Sequence, residues 1–169
     1  FLIHRFGFAS ADILTLTEEQ ASREFIEAAC LDHLGNQAKA DDTVVFHFSG
    51  YGTRVKLATF PETVENALIP FDVDTQNQLS VNYLLEQTLL LLLRSLPTNR
   101  VTTILDTSYY ATSTLQTPAL KFRSRPESLV AKLALEELAF LKQQQTQNPA
   151  LNNAIMLKAT STENQQAGN

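Results

Sequence analysis

The chain is poor in the residues that build covalent frameworks and hinges. It has one cysteine (Cys30), one methionine (Met156), no tryptophan and five glycines in 169 residues. A lone cysteine excludes an intramolecular disulfide and points to a reducing compartment, the cytoplasm. Cys30 lies in a helical pattern beside Ala28, Ala29 and Leu31 and reads as a small buried apolar residue rather than a nucleophile. Basic residues are few and scattered, and the net charge is −5. Without a basic stripe interleaved with aromatics, a nucleic-acid partner is not expected. The longest hydrophobic run, Leu84 to Leu96 (LLEQTLLLLLRSL), is too short to span a bilayer and is broken by Glu86, Gln87 and Arg94. It reads as a helix buried on most sides, so no membrane partner is expected. No signal peptide is visible. The chain opens at Phe1 without methionine, and we expect the true N-terminus to lie upstream.

What remains is a soluble globular composition, 44% hydrophobic and 18% charged, over about one domain's length. Phe1 to Gly7 reads as the last turns of a helix stopped by Gly7. Asp12 to Leu16 (DILTL) alternates apolar and polar residues as a strand does. Thr17 before Glu18, Glu19 and Gln20 signals a helix start. That helix should run to about Ala38 on a face of Ala21, Phe25, Ala28, Ala29 and Leu31 to Leu34. Thr43 to Ser49 (TVVFHFS) is a nearly unbroken apolar run, the pattern of a central strand covered on both faces. A long loop from Gly50 to Asn66 and a short strand at Ala67 to Pro70 should follow. Phe71 to Gln78 reads as an acidic loop, Val81 to Leu96 as a helix, and Arg100 to Asp106 as a second central strand. A polar loop to Arg125, a helix over Glu127 to Gln144 and a strand over Asn153 to Thr160 complete the order. Such alternation calls for a mostly parallel sheet with helices on both faces and a ligand site at the strand C-termini.

Two strand ends carry unusual polar residues: Ser49-Gly50-Tyr51-Gly52, and Asp106-Thr107-Ser108-Tyr109-Tyr110. Neighbouring strands lie ~4.8 Å apart, so residues just past two such ends can touch. A phenol and a hydroxyl there make poor catalytic partners. A tyrosine with a pKa near ~10 stays protonated at neutral pH, and a serine needs a base to attack. The histidines offer little help. His47 stands mid-strand and reads as a packed core residue, His33 lies late on a helix, and His4 sits in the first helix. Asp72 and Asp74 form a D-x-D pair, which reads as a solvated loop more readily than as a hard-cation site.

In order and about 55 residues apart, the two motifs resemble those of the caspase-like peptidase domain in its prokaryotic metacaspase (orthocaspase) branch. That family carries Ser-Gly-His-Gly, whose His is the general base, and Asp-x-Cys-His-Ser-Gly, whose Cys is the nucleophile. The resemblance extends to DILTLTEEQASREFI, ALIPFDVD and IMLKATSTENQQA, essentially the whole chain. It implies an α/β caspase–hemoglobinase-like three-layer sandwich, a single domain over residues 1–169, truncated at both ends, with its first strand upstream of Phe1. It also puts Tyr51 at the histidine position and Ser108 at the cysteine position. Gly50 and Gly52 become turn or oxyanion-site residues, and Asp106 and Glu18 the acidic pocket for an arginine or lysine. For Asp106 a strand-end turn cap, and for Glu18 a helix first-turn carboxylate, are the plain alternatives. The expected function is a catalytically inactive member that binds, regulates or scaffolds, with protein or peptide partners bearing basic residues. An endopeptidase using Ser108 and an assembly module pairing through sheet edges are the alternatives. No cofactor is expected, although the family implies calcium for some members.

Overall fold

The two most apolar strand runs of the sequence pair with each other. The computed structural model describes residues 1–57, 60–74, 82–109, 128–131 and 155–158. In it, Thr43–Ser49 (β1) lies parallel to Arg100–Asp106 (β5), in register from Thr43 opposite Arg100 to Ser49 opposite Asp106. Ile155–Lys158 (β7) adds in parallel on the other side of β5, so this sheet runs β1-β5-β7. Side chains alternate across a strand, and Val44, Phe46, Phe48, Val101 and Leu105 point into the main core. The opposite face differs from the sequence expectation. His47 there is exposed and Val45 and Ile104 are half-buried, so His47 is not a core histidine and the two faces of β1 are not equally covered.

The expected long loop after β1 is instead a hairpin. Tyr51–Leu57 (β2) and Phe60–Ile69 (β3) are antiparallel, with Tyr51 opposite Ile69 and an irregularity between Lys56 and Leu57. Thr53, Arg54 and Val55 alternate well enough for a strand, but only Val55 is aliphatic, which hides the pattern in sequence. Leu84–Leu85 (β4) pairs with β3, and Ser128–Ala131 (β6) runs parallel to β2. The second sheet is therefore β4-β3-β2-β6. Position 128–131 was expected to open a helix over 127–144; it is strand, and the remainder of that segment lies outside the described residues.

The helices are shorter than their sequence patterns. Leu2–Phe6 (α1) ends at Gly7, whose φ of 75° is the left-handed cap that glycine adopts without penalty. Residues 12–16 form no ladder. Ser10–Asp12 is a 3₁₀ turn and Ile13 is extended, while Leu16 packs on the core and Leu14 stays exposed. A strand needs a neighbour for its backbone groups, and no described strand pairs with this one. Thr17 is not the side-chain cap either. It precedes a 3₁₀ turn at Glu18–Ala21, and the α-helix proper, Arg23–Ala28 (α2), starts at Ser22, whose Oγ accepts from Phe25 N at 3.3 Å. A π-helical stretch, Ala29–Gly35, continues it. Its buried stripe is Ile26 and Cys30, with Leu34 packed behind, whereas Phe25 and Leu31 face out.

Glu86–Arg94 (α3) drives Leu89, Leu93 and the following Leu96 into the main core, against Ile26 and Cys30 of the α2 helix and Val101 and Leu105 of β5. The leucine run is thus a buried helix, as its spacing implies. No helix among the described residues is long and apolar enough to cross a membrane. A smaller core of Val55, Ala67, Val73, Tyr83 and Leu85 fills the second sheet. The N-terminal ends of β1 and β5 are tied by Thr98 Oγ1 donating to Asp42 O at 2.6 Å and Arg100 Nη1 donating to Asp41 O at 3.0 Å. The parallel register is therefore fixed at the end opposite the candidate site.

Truncating Leu93 to alanine should lower the unfolding free energy by about 2–5 kcal/mol, since it is fully buried. Phe25→Ser should change it by less than about 0.5 kcal/mol, because the ring lies on the exposed face. Denaturant titration of both variants checks the pair.

Candidate functional site

The register of β1 with β5 determines what meets at their C-terminal ends. Ser49 faces Asp106, and its Oγ donates to Asp106 Oδ2 at 3.0 Å. One residue on, Gly50 N donates to Asp106 O at 3.4 Å. The chain then bends directly into β2, so Gly52 passes over the turn that follows β5. A Cβ built on Gly52 would stand 2.8 Å from Ser108 O, 2.8 Å from Thr107 Oγ1 and 2.9 Å from Tyr109 Cδ1. Only glycine fits there. Gly50 is less constrained, since an added Cβ would meet only the movable end of the Phe48 ring. Neither glycine has a positive φ, so close approach, not left-handed backbone, is what Gly52 supplies.

The candidate residues therefore cluster, with different exposures. Tyr51, the first residue of β2, is 48% exposed and projects from the rim. Ser108 is 8% exposed beneath Gly52, and Asp106 is exposed at the strand end. Tyr109 is 3% exposed and belongs to the main core. Tyr110 lies outside the described residues. Glu18 is exposed at the start of its 3₁₀ turn with a φ of 52°, and no described hydrogen bond or ion pair brings it to the strand ends. Phe71, 59% exposed, follows Pro70 just past the end of β3, opposite the Tyr51 end of β2.

Asp72 is occupied structurally. Its Oδ1 accepts from Arg23 N at 2.9 Å, the first helical amide of α2, and its carbonyl accepts from Asn82 Nδ2. A carboxylate at a helix N-terminus meets orphan donors and the positive end of the dipole. Phe71 N donating to Ala21 O and Arg23 Nη1 donating to Tyr83 O complete the docking of this loop. Among the described residues, no three His, Cys, Asp or Glu side chains are grouped to hold a metal ion.

Sequence reasoning missed the polar groups behind the turn. Glu86, read there only as an interruption of the leucine run, is buried in the first turn of α3 and accepts from Asn66 Nδ2 at 3.3 Å. Gln87 donates to Glu65 at 2.9 Å. Burial raises the Glu65 carboxyl above its ordinary range; the Gln87 bond opposes this and the nearby Glu86 charge adds to it. Burial, then the Glu86 carboxylate, push the Tyr109 phenol far above the usual tyrosine range. Cys30 is equally unsuited to ionise: burial, with Glu27 adding, raises its thiol to about 12.

A family model for the metacaspase, peptidase C14 domain matches residues 1–118, about two-thirds of the chain and the part that contains both strand-end motifs. The chain belongs to the metacaspase branch of the caspase-type peptidases. No curated protein sequence matched it.

Two outcomes follow from this geometry. Gly52→Ala should destabilise by about 1–3 kcal/mol through overpacking against the 107–109 backbone, clearly more than Gly50→Ala. Cys30 should resist thiol reagents at pH 8 until the protein is denatured. Its folded pKa is above the unfolded value, so stability should fall as pH rises from 9 towards 12, where the unfolded thiol has lost its proton and the folded one has not. Denaturant melts across that window, compared with Cys30→Ala, isolate the contribution.

Proposed function

We propose that this domain is a caspase-type peptidase fold without peptidase activity, which binds basic peptide segments at the C-terminal ends of β1 and β5. The observation that carries the reading is the junction of Ser49-Gly50-Tyr51-Gly52 with Asp106-Thr107-Ser108. Where the family holds an imidazole and a thiol, this chain presents a phenol at the rim and a buried hydroxyl. A phenol is a weak base at neutral pH, and a serine hydroxyl, far less acidic than a thiol, needs a stronger base than that to attack a peptide carbonyl at a useful rate. Oxyanion donors alone stabilise a charge that never forms.

Binding asks less of the same residues. Asp106 is an exposed carboxylate, oriented by Ser49 Oγ, at a strand end where parallel sheets place ligands. A guanidinium or ammonium is its natural partner. Tyr51 and Phe71 add exposed aromatic surface on the hairpin side of the same end, and aromatic faces attract cations and apolar neighbours alike. Glu18 would be a second acid only if the chain around it moved towards the strand ends. The reading further assigns the chain to the prokaryotic orthocaspase branch and to the cytoplasm. It also assumes a three-layer sandwich completed by a strand beside the outer edge of β1.

Arginine- and lysine-containing peptides should raise the melting temperature and be recovered intact. Asp106→Asn should weaken that binding about tenfold, the scale of one charge-assisted contact, while Ser108→Ala should leave it nearly unchanged. Fluorescence titration with mass spectrometry of the peptide measures both. Peptide cleavage abolished by Ser108→Ala would instead establish a serine-using endopeptidase. Growth in particle size with protein concentration, indifferent to peptide, would favour an assembly module.

A further inference from the structure

The face of β1 turned away from the main core carries an exposed imidazole beside the strand-end carboxylate. Val44, Phe46 and Phe48 point into the core, so Val45, His47 and Ser49 share the other face. Asp106 lies on that same face, because Ser49 Oγ donates to its Oδ2 at 3.0 Å. His47 stands two residues before Ser49 on β1, and opposite Ile104, two residues before Asp106 on β5. The Cα atoms of His47 and Asp106 are thus about 8 Å apart on the diagonal, a separation that long side chains bridge. Both residues are exposed. Among the described residues, no hydrogen bond or ion pair engages the His47 ring. The other charged residue of this face on the two strands is Arg100. It lies four residues, about 13 Å, down β5 from Ile104 and donates to Asp41 O. On the far side of β5, the position opposite Ile104 is uncharged, Leu157 of β7.

We propose that His47 is a specificity-determining residue of the strand-end site: its neutral imidazole accepts a hydrogen bond from the basic side chain seated at Asp106 and selects arginine over lysine. The inference rests on the peptide-binding reading and deepens it. A guanidinium is a planar fork of five N–H donors and meets two acceptors on one face at once, whereas an ammonium is a compact point charge. Asp106 supplies the opposite charge, and His47 supplies the second acceptor on the diagonal. A neutral imidazole has one ring nitrogen that accepts. Once protonated, both nitrogens donate. The ring then repels an incoming cation and competes with it for Asp106. Histidine is the side-chain type whose charge changes between pH 8 and pH 5.5, so the site releases basic peptides as the pH falls through that window.

Fluorescence titration with matched arginine and lysine peptides at pH 8 and pH 5.5 tests this in the unaltered protein, His47→Gln and His47→Leu. At pH 8 the unaltered protein should bind the arginine peptide about tenfold more tightly than the lysine peptide, the worth of one hydrogen bond to a charged group. At pH 5.5 its arginine binding should weaken by about three- to tenfold, the scale of two like charges near a protein surface. Glutamine keeps an acceptor and does not titrate, so His47→Gln should retain most of the arginine preference and lose the pH dependence. His47→Leu should lose both. Melting temperatures should stay nearly equal, since position 47 is exposed; a merely structural histidine would move stability and leave discrimination and pH profile alone. An arginine preference and pH profile that survive in His47→Leu would overturn the proposal, and loss of binding in Asp106→Asn would then show the peptide-binding reading still standing. If the unaltered protein binds neither peptide at either pH, the peptide-binding reading itself fails and the proposal falls with it.

Discussion

The close passage of Gly52 over Thr107, Ser108 and Tyr109 is the contact on which the site depends. It joins the two sheets at the point where the chain leaves the parallel one and enters the hairpin. A side chain there would lift β2 from the turn after β5. The strand ends would then separate, and the buried tyrosine would lose its lid. Everything else at that end is arranged around this contact, including the hydrogen bond from Ser49 to Asp106 and the aromatic rim at Tyr51. At the opposite end, Thr98 and Arg100 tie the same strand pair through backbone carbonyls. The strand pair is thus held at both ends by described contacts, an arrangement that suits recognition.

On the proposed reading, the same packing explains how a fold can outlast its chemistry. Catalysis in this family asks two side chains for a proton transfer and a nucleophilic attack. Folding asks the same positions only for a narrow backbone and a filled core. Gly52, Tyr109 and the core residues Val101 and Leu105 meet the second demand. Asp72 makes the same point elsewhere, because a loop carboxylate that looks like a cation ligand is engaged at a helix N-terminus.

Much of this was legible from periodicity. TVVFHFS and RVTTILD announced the parallel pair, the leucine run a buried helix, and the two polar strand ends a shared site. The hairpin at 51–69 was not, because Arg54, Lys56, Glu65 and Asn66 give its strands a polar surface that reads as loop, and pairing supplies what propensity does not. Asp12 to Leu16 misled in the opposite direction, alternating like a strand without a ladder to join. Phe25 and Leu31 fell on the wrong side of the α2 helix because its buried stripe follows Ile26, Cys30 and Leu34. Glu86 was the costliest omission. One acid at the head of a hydrophobic helix looks like a solvated terminus, and only the tertiary fold buries it and sets it against Asn66 of β3.

The central claim is that the frame of a peptidase persists here while its reacting groups do not. The most direct measurement is turnover of fluorogenic arginine and lysine substrates by the protein and by the Tyr51→His/Ser108→Cys double variant. The account predicts no turnover by the protein itself and measurable turnover by the double variant, because the strand ends already hold both positions together. Cleavage by the unaltered protein, lost on Ser108→Ala, would contradict it.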